Sequence, residues 1–240
     1  MNREQFPAPT DNDFGNKMPL LAGVWRTAHV NRYVKEVTVG NKNEKGLPVK
    51  IEWVLTDIQV PYTMEYLIRN DGSLVVTGSI DLNGTRLPEL PRFGMRIELT
   101  QPYDNLSYYG RGPQENYIDR CSGSFIGCYD DKVENQYYEY IRPQETGNKT
   151  DVRWLTLLDS DGAGIKITGL QPIAFSALHF TPEDLDPGLT RKMQHTIDVI
   201  LHVDMKQRGL GGDNSWGMYP HTEYRLLDKK YSYSYILELE

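Results

Sequence analysis

Apolar and polar residues alternate along much of the chain. In TIDVILHVDM (Thr196–Met205), Ile197, Val199, Leu201, Val203 and Met205 share one face, with Asp198, His202 and Asp204 on the other. In YSYSYILELE, Tyr231, Tyr233, Tyr235, Leu237 and Leu239 alternate with serines and glutamates. Successive side chains of a strand point to opposite faces, so both segments read as half-buried strands. KIEWVLTDI, TMEYLIR, SLVVTGSIDL, RFGMRIEL, VRWLTLLD and GIKITGL read the same way. Asp71-Gly72 and Asp161-Gly162 predict tight hairpin turns, and LLDKKYS predicts another. Helix signals are scarce. In TPEDLDPG, Thr181 suits a cap, Pro182 the first helical position, and Glu183 and Asp184 the positive end of the dipole. Pro187-Gly188 should stop that helix within about two turns. Short strands at regular intervals predict an all-β sandwich, read as a single domain over residues 1–240.

Composition narrows the partners. A formal net charge of -7 disfavours phosphate backbones, so no nucleic-acid partner is expected. No run approaches the roughly 20 apolar residues that span a bilayer, so no membrane partner is expected either. The opening MNREQFPAPTDNDFG lacks the apolar centre of a signal peptide, and the compartment is left open. Cys121 and Cys128 lie outside any CxxC spacing and fit two separate thiols better than a bridge between hairpin strands, the other arrangement open to them. The 16 tyrosines and four tryptophans suit sheets, and they also suit sugar sites, where a ring face meets the C–H face of a sugar.

Individual motifs leave several chemistries open. None of His29, His179, His195, His202 and His221 has HExxH spacing, and packing or surface roles fit them better than metal ligation. GLGGD lacks the lysine and following helix of a phosphate cradle. Glu115 in GRGPQENYIDR is the most conspicuous carboxylate. The glycines and proline before it predict a sharp turn whose polar side chains satisfy backbone groups. Asp11, Asn12 and Asp13 in APTDNDFG could hold a cation, meet a sugar or brace a loop, and the spacing is not that of an EF-hand. Trp216 stands among Gly209, Gly211, Gly212 and Gly217. Either it folds onto the sandwich edge, or flexible flanks let it lie against a ligand.

APTDNDFG, LPRFGMRIEL, YYGRGPQENYIDR, YIRPQETGNKTDVRW and GLGGDNSWG occur in this order from about Phe6 onward. Together they resemble the C-terminal domain of the large β-galactosidases of glycoside hydrolase family 2. The resemblance implies a large antiparallel β supersandwich, galactose mutarotase-like in fold. It also implies a multidomain parent that hydrolyses terminal β-D-galactosides with retention. The catalytic glutamates and the magnesium ligands of that family lie on a TIM barrel, which this chain, without βα alternation, does not supply. No catalytic residue or cofactor is therefore expected here, and the chain alone is expected to be inactive. The implied contribution is substrate contact: Trp216 stacks on sugar, Asp213 and Asn214 of the same motif bind substrate, and Asp11, Asn12, Asp13 and Gly15 form an active-site loop. The implied partners are galactose or a β-galactoside and the catalytic barrel, with self-association possible. The family domain carries strands ahead of APTDNDFG, so the N-terminal edge reads as truncated, a feature that would expose backbone and favour association. Two alternatives stand beside this reading. One is a free-standing aldose mutarotase-like epimerase, using His179 or His195 with a distant glutamate. The other is a carbohydrate-binding module.

Overall fold

The computed structural model describes residues 2–4, 6–100, 103–186, 196–214 and 217–240, with side chains from residue 6 onward. His195, Pro187, Gly188 and Trp216 lie outside the described residues.

The predicted all-β character holds. The described residues form twelve antiparallel strands: β1 (Asn2–Glu4), β2 (Arg32–Val39), β3 (Leu47–Leu55), β4 (Val60–Ile68), β5 (Leu74–Asp81), β6 (Arg92–Leu99), β7 (Asn105–Gly112), β8 (Phe125–Lys132), β9 (Lys149–Leu158), β10 (Gly164–Leu178), β11 (Val199–Gln207) and β12 (Lys230–Leu239). The fifteen-residue β10 is the branch point. β9 runs along one of its edges. Its other edge is shared, with Ile165–Gly169 pairing β12 and Ala174–Leu178 pairing β11. The changeover falls at Leu170-Gln171-Pro172, where proline has no N–H to give a ladder. The Gln171 side-chain amide takes over there, donating to Ser234 O at 3.0 Å and accepting from Ser234 N at 3.2 Å. One branch then continues β12-β5-β4-β3-β2 and the other β11-β6-β1, while β7 and β8 extend beyond β9.

The branches close on each other through aromatic rings. Phe93 of β6 lies 6.0 Å from the Tyr62 ring of β4 and 5.5 and 5.6 Å from Tyr231 and Tyr233 of β12. Each such pair contributes about 0.5–1.5 kcal/mol beyond the area it buries. The Tyr233 hydroxyl is matched too, donating to Val203 O at 2.7 Å. The tyrosine face of β12 is thus buried as its alternation predicts. β11 departs from its pattern, because both of its faces are inside: His202 is 3% exposed and Asp204 0%. Arg92 stands 3.3 Å from Asp204 and 2.8 Å from Glu145, so the polar face of β11 is buried against a matched charge rather than against water.

The predicted helix is α4 (Pro182–Leu185), capped by Thr181 with Asp184 returning the bond. Three short helices precede β2: α1 (Asp11–Gly15), α2 (Met18–Leu21) and α3 (Val24–Ala28). They lay this segment over one end of the core, where Trp25 is fully buried and donates to Glu89 O at 3.0 Å. No helix among the described residues is long and apolar enough to cross a membrane.

Candidate functional site

The stretch APTDNDFG forms one turn of helix. Thr10 Oγ1 accepts from Asp13 N at 3.2 Å, and Asp13 Oδ2 accepts from Thr10 N and Oγ1 at 3.0 and 2.9 Å. This capping box turns the Asp13 carboxylate inward, where it is 2% exposed. Burial lifts its carboxyl above the ordinary value although Arg208, 3.2 Å away, pulls the other way. Arg208 is itself 1% exposed and lies 3.7 Å from Glu89. Bracing, one of the roles open to Asp13, is therefore seen directly, through a helix cap rather than an Asx-turn.

The two motifs far apart in sequence meet at this point. Arg208 begins RGLGGDNSWG, and its pair with Asp13 ties that segment to α1. Asn12 Nδ2 donates to Leu210 O at 3.2 Å. Gly217, at φ +145°, is so near Gly15 that an added Cβ would lie 3.1 Å from Gly15 O. Close approach, one of the two uses left open for these glycines, is thus seen at Gly217. At Gly212 a Cβ would fall 2.6 Å from Tyr219 O and 2.7 Å from Met218 O. A third segment joins from β7 onward, with Gly211 N donating to Asp119 Oδ2 at 2.8 Å. Between these segments lies an open cleft of ≈ 310 Å³, walled by Asn12, Asp119, Arg120, Tyr140, Glu145 and Gly211 among others.

Asn12 is thus on the wall. Asp11 lies at the rim, exposed, its N–H donating to Gln144 Oε1 at 3.2 Å. Asp213 and Asn214 are exposed further along. Asp213 Oδ1 is 2.7 Å from His221 Nε2, which holds the imidazole pKa above its ordinary value, and Asn214 Oδ1 accepts from Met218 N at 3.4 Å. Trp216, between Asn214 and Gly217 in sequence, is among the residues not described.

Glu115 organises the neighbouring surface. It accepts from Thr146 Oγ1 at 3.0 Å and Gly147 N at 2.7 Å, and also from Arg120 and Tyr140. Burial alone would raise its pKa, but these partners together hold it below the ordinary value. A carboxylate with four donors is a brace, in keeping with the backbone-satisfying role read from its turn. Sequence reasoning missed Tyr140 and Lys149, since neither stands in a spacing that marks chemistry. Lys149 is 2% exposed, and burial brings its pKa down to about 8.

The other candidates disperse. His29 and His202 are buried, with imidazoles held below the ordinary range by burial, His29 at about 4. His179 Nδ1 lies 3.1 Å from Asp198 O. Cys121 and Cys128 are free thiols. Among the described residues no three His, Cys, Asp or Glu side chains gather as a metal site.

Fold and site together define a class: antiparallel β domains whose polar chemistry is carried on loops at the margin of packed sheets. The chain belongs to the β-galactosidase small-chain family, whose sequence model matches residues 4–237. It is similar to β-galactosidases of Priestia megaterium (36% identical over 233 residues, 96% of this chain), Halalkalibacterium halodurans (33% over 234 residues, 93%) and Streptococcus thermophilus (31% over 239 residues, 96%). It spans only 22–23% of the length of those relatives. Among solved structures, a GH36 α-galactosidase of Geobacillus stearothermophilus overlaps 87% of this chain and 28% of its own, at TM-score 0.48 and 7% identity. A galactose mutarotase related enzyme of Lactobacillus acidophilus overlaps 85% and 71%, at 0.41 and 8%. Overlaps this loose carry no site from one protein to another.

Proposed function

We infer that this chain is the non-catalytic, substrate-contacting C-terminal part of a retaining β-galactosidase, acting on terminal β-D-galactosides. One observation carries the reading: in a chain of this family, APTDNDFG and RGLGGDNSWG converge through Asp13–Arg208, Asn12–Leu210 and Gly15–Gly217, beside an open polar cleft. The retaining chemistry itself would belong to two carboxylates about 5 Å apart in the barrel of the parent, outside this chain. Magnesium, where the parent uses it, would belong to that barrel too.

The role of this chain is then positional. Trp216 lays an indole face against the sugar, contributing about 1 kcal/mol, enough to orient a substrate. Asp213 and Asn214 meet sugar hydroxyls. α1, with Asp11, Asn12, Asp13 and Gly15, forms the adjoining wall. The buried Asp13–Arg208 pair fixes that wall relative to the tryptophan segment.

The test has two arms. The 240-residue chain should not hydrolyse lactose or nitrophenyl β-galactoside, whereas the full-length parent should. In that parent, Trp216→Ala should raise KM or alter the preference among aglycones. Hydrolysis by the chain alone, or unchanged kinetics across several galactosides in the variant, would overturn the reading.

A further inference from the structure

A second and larger cleft, of ≈ 570 Å³, opens on the far side of Arg120 and Tyr140. Its volume falls within the range of small-molecule sites. Three features of its wall constrain what it would take.

The first is a floor fixed before any ligand arrives. Lys149 Nζ donates to Gln136 Oε1 at 2.8 Å and Gly147 O at 3.2 Å. An ammonium has three protons, so one is left for the cleft that Lys149 lines. Gln136 is held in turn, its Nε2 donating to Asp131 Oδ2 at 2.7 Å and Lys132 O at 3.2 Å. A buried side chain held by two acceptors does not reorganise on binding, which lowers the cost of ordering a ligand.

The second is charge. The cleft presents the cations Arg120 and Lys149 and the carboxylates Glu115 and Asp131. Arg120 is matched directly by Glu115. An anion would meet two carboxylates and a cation would meet two basic groups, so a neutral ligand suits the wall best. The third is aromatic. Tyr140 is pinned to Glu115, and Tyr138 lies against it with ring centroids 4.7 Å apart, itself 60% exposed. A large ring presented to water at the mouth of a polar cleft offers an apolar face beside hydrogen-bonding groups, the combination that matches a sugar ring.

We propose that this cleft is a separate binding site for a neutral mono- or disaccharide, with Lys149 and Asp131 meeting hydroxyls and Tyr138 covering a C–H face. The site does not depend on the hydrolase reading, and of the residues around the first cleft it shares only Arg120 and Tyr140 with it.

Titration calorimetry of the 240-residue chain with galactose, glucose and lactose tests it. At least one sugar should bind saturably, and inorganic phosphate in excess should not displace it. Tyr138→Ala, at an exposed position that leaves folding intact, should weaken binding roughly fivefold to tenfold. Tyr138→Phe should restore binding to within about twofold, because the ring is kept. Trp216→Ala, which alters the first site, should leave it unchanged. Lys149→Met should weaken it, with the melting curve recorded to show a folded variant. The proposal is overturned if none of the three sugars binds, if phosphate displaces the sugar, or if binding survives Tyr138→Ala and is lost with Trp216→Ala.

Discussion

Arg208 and Lys149 are both cations with almost no exposure, and each stands beside one of the two clefts. Arg208 is met by the carboxylates of Asp13 and Glu89, and the result is a clasp that holds α1 to the segment after β11. Lys149 is met by neutral oxygens of Gln136 and Gly147, and its third proton is left to the larger cleft. A buried cation matched by carboxylates closes a structure, because its charge is spent within the protein. A buried cation met only by amide oxygens keeps its charge available to the cleft beside it, and its pKa falls because burial disfavours the charged form more than nearby Glu115 and Asp131 restore it. The first arrangement positions segments, while the second prepares a surface for a ligand.

Arg208→Met is the largest test of that contrast. It leaves the Asp13 carboxylate buried without its cation, while Glu89 keeps Arg225 at 2.6 Å, and the loss is about 3–5 kcal/mol. Urea denaturation at neutral pH should show this as a lower midpoint with an unchanged slope. Protonation of Asp13, already favoured by its burial, would limit the loss. A change below about 1 kcal/mol, the level of an exposed ion pair, would mean that the clasp does not hold the two motifs together.

Lys149→Met sharpens the other half. The folded-state pKa of Lys149 is lowered from 10.5 to about 8. Between those values the unfolded chain binds more protons than the folded one, so stability rises with pH. The native chain should gain about 2 kcal/mol from this group between pH 7 and 10. Subtracting the Lys149→Met profile removes the contribution of the other titrating groups, which both proteins share. Parallel profiles for the two proteins would show that the ammonium is not held in the folded state as described.

The sheets were legible in the sequence wherever one face is buried and the other wet, as in the tyrosines of β12. They were less legible where that condition fails. β2 exposes Val34, Val37 and Val39, so its apolar residues mark no single buried face. β7 ends in Gly110-Arg111-Gly112, and its glycines read as a turn. β11 hides charge on its polar face because Arg92 comes from β6 to meet it, a pairing across more than one hundred residues. The site divides in the same way. APTDNDFG and RGLGGDNSWG were visible as motifs, but their convergence rests on long-range bonds that no local pattern encodes. The larger cleft gave no signal, since Lys149, Gln136 and Tyr138 acquire meaning only from their neighbours in space.

The glycines of the second motif supply an internal comparison with a smaller effect. An added Cβ at Gly212 meets two backbone oxygens below 3.0 Å, and neither can yield without moving the chain. Gly212→Ala should cost about 1–3 kcal/mol. At Gly211 the nearest atoms are 3.8 and 3.9 Å away, both at side-chain ends, so Gly211→Ala should stay within about 0.5 kcal/mol. Equal losses at the two positions, read from thermal melts, would point to backbone freedom rather than close packing as the reason for the glycines.

The smallest effect is expected at Asp213, where both partners are exposed. Asp213 raises the His221 pKa through their hydrogen bond and then through charge. A raised histidine pKa stabilises the fold at pH below the unfolded value, and that contribution disappears as pH climbs through the folded value. Asp213→Asn should therefore move the His221 titration, followed by NMR, toward lower pH while leaving the melting temperature unaltered. The same pair then reports on function. If Asp213 meets a sugar hydroxyl, as proposed, the ligand competes with His221 for the same carboxylate. A galactoside added to the full-length parent should shift the His221 titration in the native protein and leave that of the D213N variant still. If both shift alike, Asp213 does not meet the ligand, and the contact belongs to other residues of the segment.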